Sequence, residues 1–432
     1  MFCQLEVLRQ CFPPSVRRVL EELPDGLDET YERILREIRK PNQRYTRQLL
    51  QCLVAAVRPL RVKELAEILA FDFSAEGIPR LNPSWRWQDQ KEAVMSACSS
   101  LIIIVNDDGS QIVQFSHFSV KEFLIANRLA EPIRDVSHYH IRLEAAHTIF
   151  AQACLGVLLQ LDDHVDRDNI HNFPLAGYAA RNWATHARFE NVQSHIKDGM
   201  DCLFDADKRH FATWLWIYDR DQWSGRPLCT MHPEKPEGVP LFYAAMLGFR
   251  DLAERLITEH PEHVNARCGK YATPMHIASQ SGHASIMTLL LEHGARVDDR
   301  DMFGGSPLHR TSLNGRIEAG NCLLDHGADL HARNDEDRTA LFVAASHGRV
   351  EFSRMLLERG ARINDYEARG MTPLHCAVRS GSIQTVRLLL EHGADVNARD
   401  SKVGCTPSKL GSMMDRHEIV ELLSAYGAEP VE

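Results

Sequence analysis

The chain holds 22 histidines and 11 cysteines. These are the side chains best able to bind a metal ion or attack a substrate, so their spacing decides what chemistry is open to it. His260 and His263 lie close together with Glu259 beside them, which invites a zinc reading. The H-E-x-x-H order of a helical zinc site is absent, and Pro261 interrupts the spacing that would align the two rings, so no metal is expected. The cysteines are scattered from Cys3 to Cys405 without a C-x-x-C pair, the usage of free thiols in a reducing compartment. Cys322 and Cys376 fall in apolar helical stretches and read as small core residues. No G-x-S-x-G elbow and no G-x-G-x-x-G loop occurs. A phosphate-cradling G-x-x-x-x-G-K-[ST] loop is also missing: Tyr271 follows Gly269-Lys270, and Val264 stands where the first glycine belongs. The expectation is a protein without enzymatic activity or cofactor.

What remains is contact chemistry. Short polar stretches in the C-terminal half carry Asp299, Asp301, Met302 and Phe303; then Arg333, Asp335 and Asp337; then Asp365, Tyr366 and Arg369; then Arg399 and Lys402. Aromatic anchors inside a charged rim are the composition of a protein-binding surface, and Phe303 and Tyr366 supply the anchors.

The elements that must position these residues repeat. Thr273-Pro274-Met275-His276, Ser306-Pro307-Leu308-His309, Thr339-Ala340-Leu341-Phe342 and Thr372-Pro373-Leu374-His375 fall in register, with Val239-Pro240-Leu241-Phe242 before them and Thr406-Pro407-Ser408-Lys409 after. A second landmark, Gly294, Gly327, Gly360, Gly393 and Gly427, each followed by alanine, keeps the same phase. In each unit Thr or Ser reads as a helix N-cap and Pro as its first residue, where a missing N–H costs nothing. Histidine three residues on can reach back to the cap, as glutamate does in a capping box, so His276, His309 and His375 are expected to be structural. A short helix ends at Gly282, Gly315, Gly348 or Gly381. A second helix follows with paired aliphatics on one face, such as Val386, Leu389 and Leu390.

These units resemble the ankyrin repeat over about Glu237 to Glu432, in six copies. The resemblance implies a stacked helix–turn–helix solenoid with β-hairpin fingers on one edge. Neighbouring units bury the apolar face that no single unit can. The last unit departs from the pattern at Pro407-Ser408-Lys409 and Met413-Met414-Asp415, and is expected to be a C-terminal cap with a polar outer face.

The N-terminal half has no such repeat and reads as mostly helical. Tyr31, Ile34, Leu35 and Ile38 form one stripe, Leu49 to Val57 is a second amphipathic run, and Val62 to Ala70 is a third with Leu65, Ile68 and Leu69 on one side. After a loop holding Pro79, Pro83, Trp85 and Trp87 the period changes. Leu101 to Val105 and Gln111 to Ser116 flank Asp108-Gly109 as a β-hairpin would, and Val120 to Leu129 is helical again. Helices, a hairpin and a further helix make a winged-helix order. The segments Leu23-Pro24-Asp25-Gly26-Leu27-Asp28-Glu29-Thr30-Tyr31, Arg58-Pro59-Leu60 and Phe115-Ser116-His117-Phe118-Ser119-Val120, with Tyr178-Ala179-Ala180-Arg181-Asn182-Trp183 further on, resemble the region after the NTPase in fungal NACHT proteins of the STAND class, relatives of NOD-like receptors. By that resemblance His117 is the position that contacts a nucleotide β-phosphate in the wider family. Without a P-loop the chain resembles such a receptor with its NTPase missing. Trp183, Trp214, Trp216 and Trp223 cluster ahead of the repeats and are expected to form a docking core between the halves.

The fold class expected is mainly α, a helical and winged-helix-like region followed by an ankyrin-repeat α-solenoid with β-hairpin fingers. The divisions are a helical lead-in over 1–26, a winged-helix-like domain over 27–135, a helical connecting region over 136–235 and the repeats over 236–432. Composition fits a globular protein, with 44% hydrophobic and 25% charged residues, and the formal net charge is −10. An anionic surface with no basic run argues against nucleic acid and anionic membranes as partners. The beginning of the chain lacks the features of a signal peptide, and the expected location is cytoplasmic, with the nucleus also open to it. The expected function is a protein-interaction scaffold. The alternatives are a STAND-class signalling NTPase lacking its P-loop domain and an accessory product of a fungal metabolic or self-recognition locus.

Overall fold

A computed structural model describes residues 26–430 apart from 74–76, 108, 131–134, 162–164, 166–168, 223–237 and 269–271. The lead-in over residues 1–25, Trp223 and most of the spacer before the repeats lie outside the described residues. The chain divides into two compact units that part between residues 236 and 237.

In the first unit, helix α1 (Leu27–Glu37) buries Tyr31, Ile34 and Leu35, and Asp28 and Glu29 complement the positive end of its dipole. Helix α2 (Lys40–Ala55) stops short of Arg58-Pro59. Strand β1 (Leu60–Arg61), helix α3 (Val62–Ile68) and the short strands β2 (Phe71–Asp72) and β3 (Arg80–Leu81) follow. Helix α4 (Gln90–Cys98) leads into strands β4 (Ile102–Asp107) and β5 (Ser110–Phe115), and helix α5 is Phe118–Ile125. The hairpin forms as the sequence implies: Asp107 pairs with Ser110, and Gly109 just before Ser110 has φ 79°. The wing has a third strand the alternation did not reveal, because β1 is only 2 residues long. It pairs with β5 through Leu60 and Val113, both buried.

Helix α6 (Leu143–Leu158) packs against α2 and against helix α7 (Ala176–Ala187). Its Gly156 is required: a Cβ there would stand 2.4 Å from the Pro79 carbonyl oxygen and 2.8 Å from the Phe71 ring. Helices α8 (Val192–His195), α9 (Lys197–Leu203) and α10 (Arg209–Gln222) complete this unit. Trp183 and Trp214 meet edge to face at 5.8 Å and are closed in by Phe204 and Phe211. Both are fully buried in the first unit's own core.

The second unit holds six helix pairs among the described residues. The inner helices are Pro240–Leu247, Pro274–Ser281, Pro307–Asn314, Ala340–Ser346, Pro373–Ser380 and Pro407–Met413. The outer helices are Arg250–Glu259, Ala284–Glu292, Ile317–Asp325, Val350–Glu358, Ile383–Glu391 and His417–Ala425. Each inner helix packs on the next inner helix and on its own outer partner, so the core is a continuous stack. In the last repeat Arg416, His417 and Glu418 are exposed as a cap requires, but so are Met413 and Met414, because the inner helix stops at Met413 and its end opens outward.

Candidate functional site

The fingers between repeats are built from three devices. The first is the capped histidine. Thr273 and His276 form a closed box, and the His276 Nδ1 accepts from the Thr273 amide at 3.3 Å and lies 2.9 Å from its hydroxyl. The opposite ring nitrogen, Nε2, donates across the repeat boundary to the Gly305 carbonyl at 3.1 Å. His309 reaches the Arg338 carbonyl at 2.8 Å and His375 the Cys405 carbonyl at 3.0 Å in the same way. Burial lowers the pKa of all three, which keeps the rings neutral in the tautomer the strut needs. In the fourth repeat Phe342 takes this place, buried, with the Arg338 guanidinium 5.4 Å above its ring.

The second device closes each finger tip. The Asp301 carboxylate accepts from the Phe303 amide at 2.8 Å and the Gly305 amide at 3.0 Å, and it pairs with Arg310 at 2.6 Å. One period on, the Asn334 side chain accepts from the Glu336 and Arg338 amides, both at 3.0 Å. Glu367 accepts from the Arg369 amide, and Asp400 from the Val403 and Cys405 amides. Each finger is a tight hairpin turn closed by backbone bonds, such as Asp301 N to Gly305 O at 2.9 Å and Gly304 N to Asp301 O at 3.1 Å, with no strand among the described finger residues. The residue before the tip's return needs a left-handed backbone: Gly304, Gly370 and Gly404 provide it, and Asp337 adopts it at φ 57°.

The third device links finger to finger. Backbone bonds join Asp335 to Phe303, Ala368 to Glu336, and Ser401 to Arg369. Arg267 pairs with Asp299 at 3.3 Å, Arg333 with Asp365 at 3.2 Å and Arg399 with Glu429 at 2.6 Å. Arg333 also donates to the Tyr366 carbonyl at 2.7 Å.

The candidate contact residues therefore fall into three sets. Asp301 is 6% exposed and folds the tip from beneath, so it is a shaping residue instead of the open contact that its place in the sequence suggested. Asp299, Arg333, Asp365 and Arg399 are engaged in finger-to-finger pairs. Met302, Phe303, Asp335, Asp337, Tyr366, Arg369 and Lys402 stand exposed on the rim. Phe303 at 56% and Tyr366 at 63% are the large aromatic groups among them, and Val403 at 74% is an apolar tip the sequence reading passed over. The shaping role had a signal: an oxygen-bearing side chain recurs at Asp301, Asn334, Glu367 and Asp400. The eight-residue fingers from Asp298, His331, Asn364 and Asn397 carry net charges of −2, −1, −1 and +1, a mildly acidic edge.

His117 in the first unit is exposed and caps α5. Its Nδ1 accepts from the Ser119 amide and lies 2.6 Å from the Ser119 hydroxyl, which also meets the Tyr31 hydroxyl at 2.8 Å. A cleft of about 920 Å³ lies elsewhere in that unit, lined by Arg58, Arg61, Lys63 and Arg181 on its cationic side. Arg58 is held there by a two-pronged pair with the buried Glu64, at 2.7 and 2.9 Å.

Three overlapping stretches, residues 241–334, 308–400 and 367–432, match the family described as Ankyrin repeats (3 copies). The second unit is an ankyrin-repeat solenoid. Residues 31–133 match the family described as GPI inositol-deacylase, winged helix domain, which agrees with the three-stranded wing and the helices around it. A curated relative, "Azaphilone pigments biosynthesis cluster protein L" of Monascus ruber, is 33% identical over 288 residues, covering 63% of this chain. The chain spans 60% of that relative's length. No helix among the described residues is long and apolar enough to cross a membrane.

Proposed function

We propose that this protein is a non-enzymatic interaction scaffold that holds a protein partner against the finger edge and the adjoining inner-helix face of its ankyrin solenoid. One observation carries the reading. The finger edge is rigidly cross-linked from below, yet it leaves Phe303 and Tyr366 exposed between Asp335, Arg369 and Lys402. Pre-ordered aromatic groups cost little entropy to dock, and a polar rim excludes water around them. The name of the Monascus ruber relative refers to a pigment biosynthesis cluster. By that likeness we extend the proposal to an accessory role in which a protein of a biosynthetic cluster is the partner. We place this activity in the reducing interior of the cell, supported by eight cysteines that stand unbridged among the described residues.

The test is a triple replacement, Phe303→Ala, Tyr366→Ala and Arg369→Ala, compared with the parent chain in partner capture by affinity purification. Capture is lost while the melting curve of the second unit stays in place. Undiminished capture removes the finger edge from the proposal. The winged-helix match favours a second reading, the distal part of a STAND-class signalling NTPase. An in-frame P-loop in the genomic DNA upstream of Met1 supports that reading, and its absence removes it.

A further inference from the structure

The first repeat departs from its neighbours at the end of its outer helix. The other five repeats turn there on Gly294-Ala295, Gly327-Ala328, Gly360-Ala361, Gly393-Ala394 and Gly427-Ala428, whereas the first has Pro261-Glu262. The residue just before this turn is histidine in four repeats, His260, His293, His326 and His392. In three of them Nδ1 is bound to the helix carbonyl four residues back: His293 to Leu289 at 2.9 Å, His326 to Cys322 at 2.7 Å and His392 to Leu388 at 2.8 Å. His260 is different. Its Nδ1 faces the Glu262 carboxylate at 3.3 Å. The Pro261–Asn265 stretch forms a turn of 3-10 helix, which brings His263 round to the same carboxylate, with Nε2 3.9 Å from Oε1. The two imidazoles lie stacked with centroids 4.9 Å apart. The other nitrogen of His263, Nδ1, is buried without a hydrogen-bond partner, so the fold draws no polar contact from that ring except toward Glu262.

We propose that His260, Glu262 and His263 form a binding site for a divalent transition-metal cation of the zinc class. One donor atom from each residue lies within 4.8 Å of the other two. Around a tetrahedral ion with bonds of about 2.0–2.2 Å, neighbouring donors stand roughly 3.3–3.6 Å apart, so small side-chain rotations close the set. Two imidazole nitrogens and one carboxylate oxygen suit zinc, cobalt or nickel and do not suit calcium or magnesium, which take oxygen donors. Three protein donors leave one coordination position for water. Pro261 breaks the helical spacing that a zinc helix would use, and the turn it enforces is what brings the donors together. The carboxylate is Glu262, while Glu259 ends the preceding helix outside the cluster. Asn265, at the end of the same turn, bonds both the Gly294 carbonyl and the Arg296 amide at 3.0 Å, so an ion bound here also pins the first repeat to the second.

The experiment uses the full chain, stripped of metal with a chelator and titrated with ZnCl₂, with CoCl₂ absorption as an independent reading of coordination. One saturable ion per chain is expected, with a rise in the melting temperature of the second unit. The double replacement His260→Ala and His263→Ala removes saturable binding and the cobalt d–d band. Glu262→Gln weakens binding roughly tenfold or more. His293→Ala, at the equivalent place in the second repeat, leaves it unchanged. Circular dichroism of each metal-free variant matching the parent shows that folding is intact. The proposal is overturned if the parent chain shows no saturable binding below about 100 µM. It is equally overturned if the double variant, folded, binds as the parent does.

Discussion

The two units hold themselves together over different distances along the chain. In the first, polar ties reach far along the chain: Glu67 takes the Leu175 amide across 108 residues, the Tyr178 hydroxyl takes the Val57 amide across 121, and Tyr31 meets Ser119 across 88. In the second, the histidine struts span 29, 29 and 30 residues, and backbone ties run from one finger to the next. A network of long-range ties is lost as a whole. A stack of neighbours loses stability locally and by degrees. The comparison separates a unit that behaves as one body from a stack of repeats that tolerates change one repeat at a time.

The largest expected effect breaks the first unit. Trp214→Ala removes an indole enclosed by Trp183, Phe204 and Phe211 and bonded to the Ala180 carbonyl, and costs about 3–5 kcal/mol. Calorimetry should show the transition of the first unit moving down while that of the repeats stays. A joint shift of both transitions ends the distinction drawn here. Next in size, His309→Ala removes a cap partner and a strut to Arg338, at about 1–3 kcal/mol. Amide exchange should quicken in the third and fourth repeats and leave the sixth untouched.

Acid sharpens the comparison further. His276, His309 and His375 have folded pKa values below the ordinary 6.5, chiefly through burial. The unfolded chain therefore takes up protons first as the pH falls. Stability is complete above pH 6.5 and declines below it, toward the lowered folded values. His309→Phe, which copies the fourth repeat, should flatten part of that decline in the repeats. In the first unit His186, pushed down to about 3 by burial and by His147, gives the same direction, read as a single cooperative loss. The smallest effect is a gain. Asp337→Gly relieves a left-handed backbone that the neighbouring fingers give to glycine, and should raise stability by about 0.5–1 kcal/mol in thermal melts.

The same contrast explains what the sequence made legible. The repeats announce themselves because Thr-Pro-Leu-His and Gly-Ala recur in phase, and each recurrence confirms the last. The wing was readable from Asp108-Gly109 between alternating strands. By contrast, β1, β2 and β3 are each 2 residues long, too short to show a period. Helix α3 was visible from Leu65 and Ile68, but Glu64 and Glu67 in the same stretch look like a solvent face and are buried at 3% and 4%. The partners of Glu67, Arg86 and the Leu175 amide, lie 19 and 108 residues away, too far along the chain for spacing to reveal them. At the finger edge, tip positions were readable but their division into shaping, linking and exposed residues was not. Aspartate looks the same in a sequence whether its carboxylate closes a turn, as Asp301 does, or meets solvent, as Asp335 does.

Phe342 gives the stack a mechanical property. At the other repeats with a Thr-Pro-Leu-His box, a directional bond from an imidazole resists sliding of one repeat over the next finger. At the fourth repeat a smooth aromatic face takes its place, held by apolar burial that resists separation but permits shear. The solenoid is thus a spring of unequal stiffness, more compliant between the fourth and fifth repeats than at the boundaries that carry a histidine strut. Drawn from its two ends, it is expected to yield there, beside the finger that carries Tyr366, before the histidine-strutted boundaries give way.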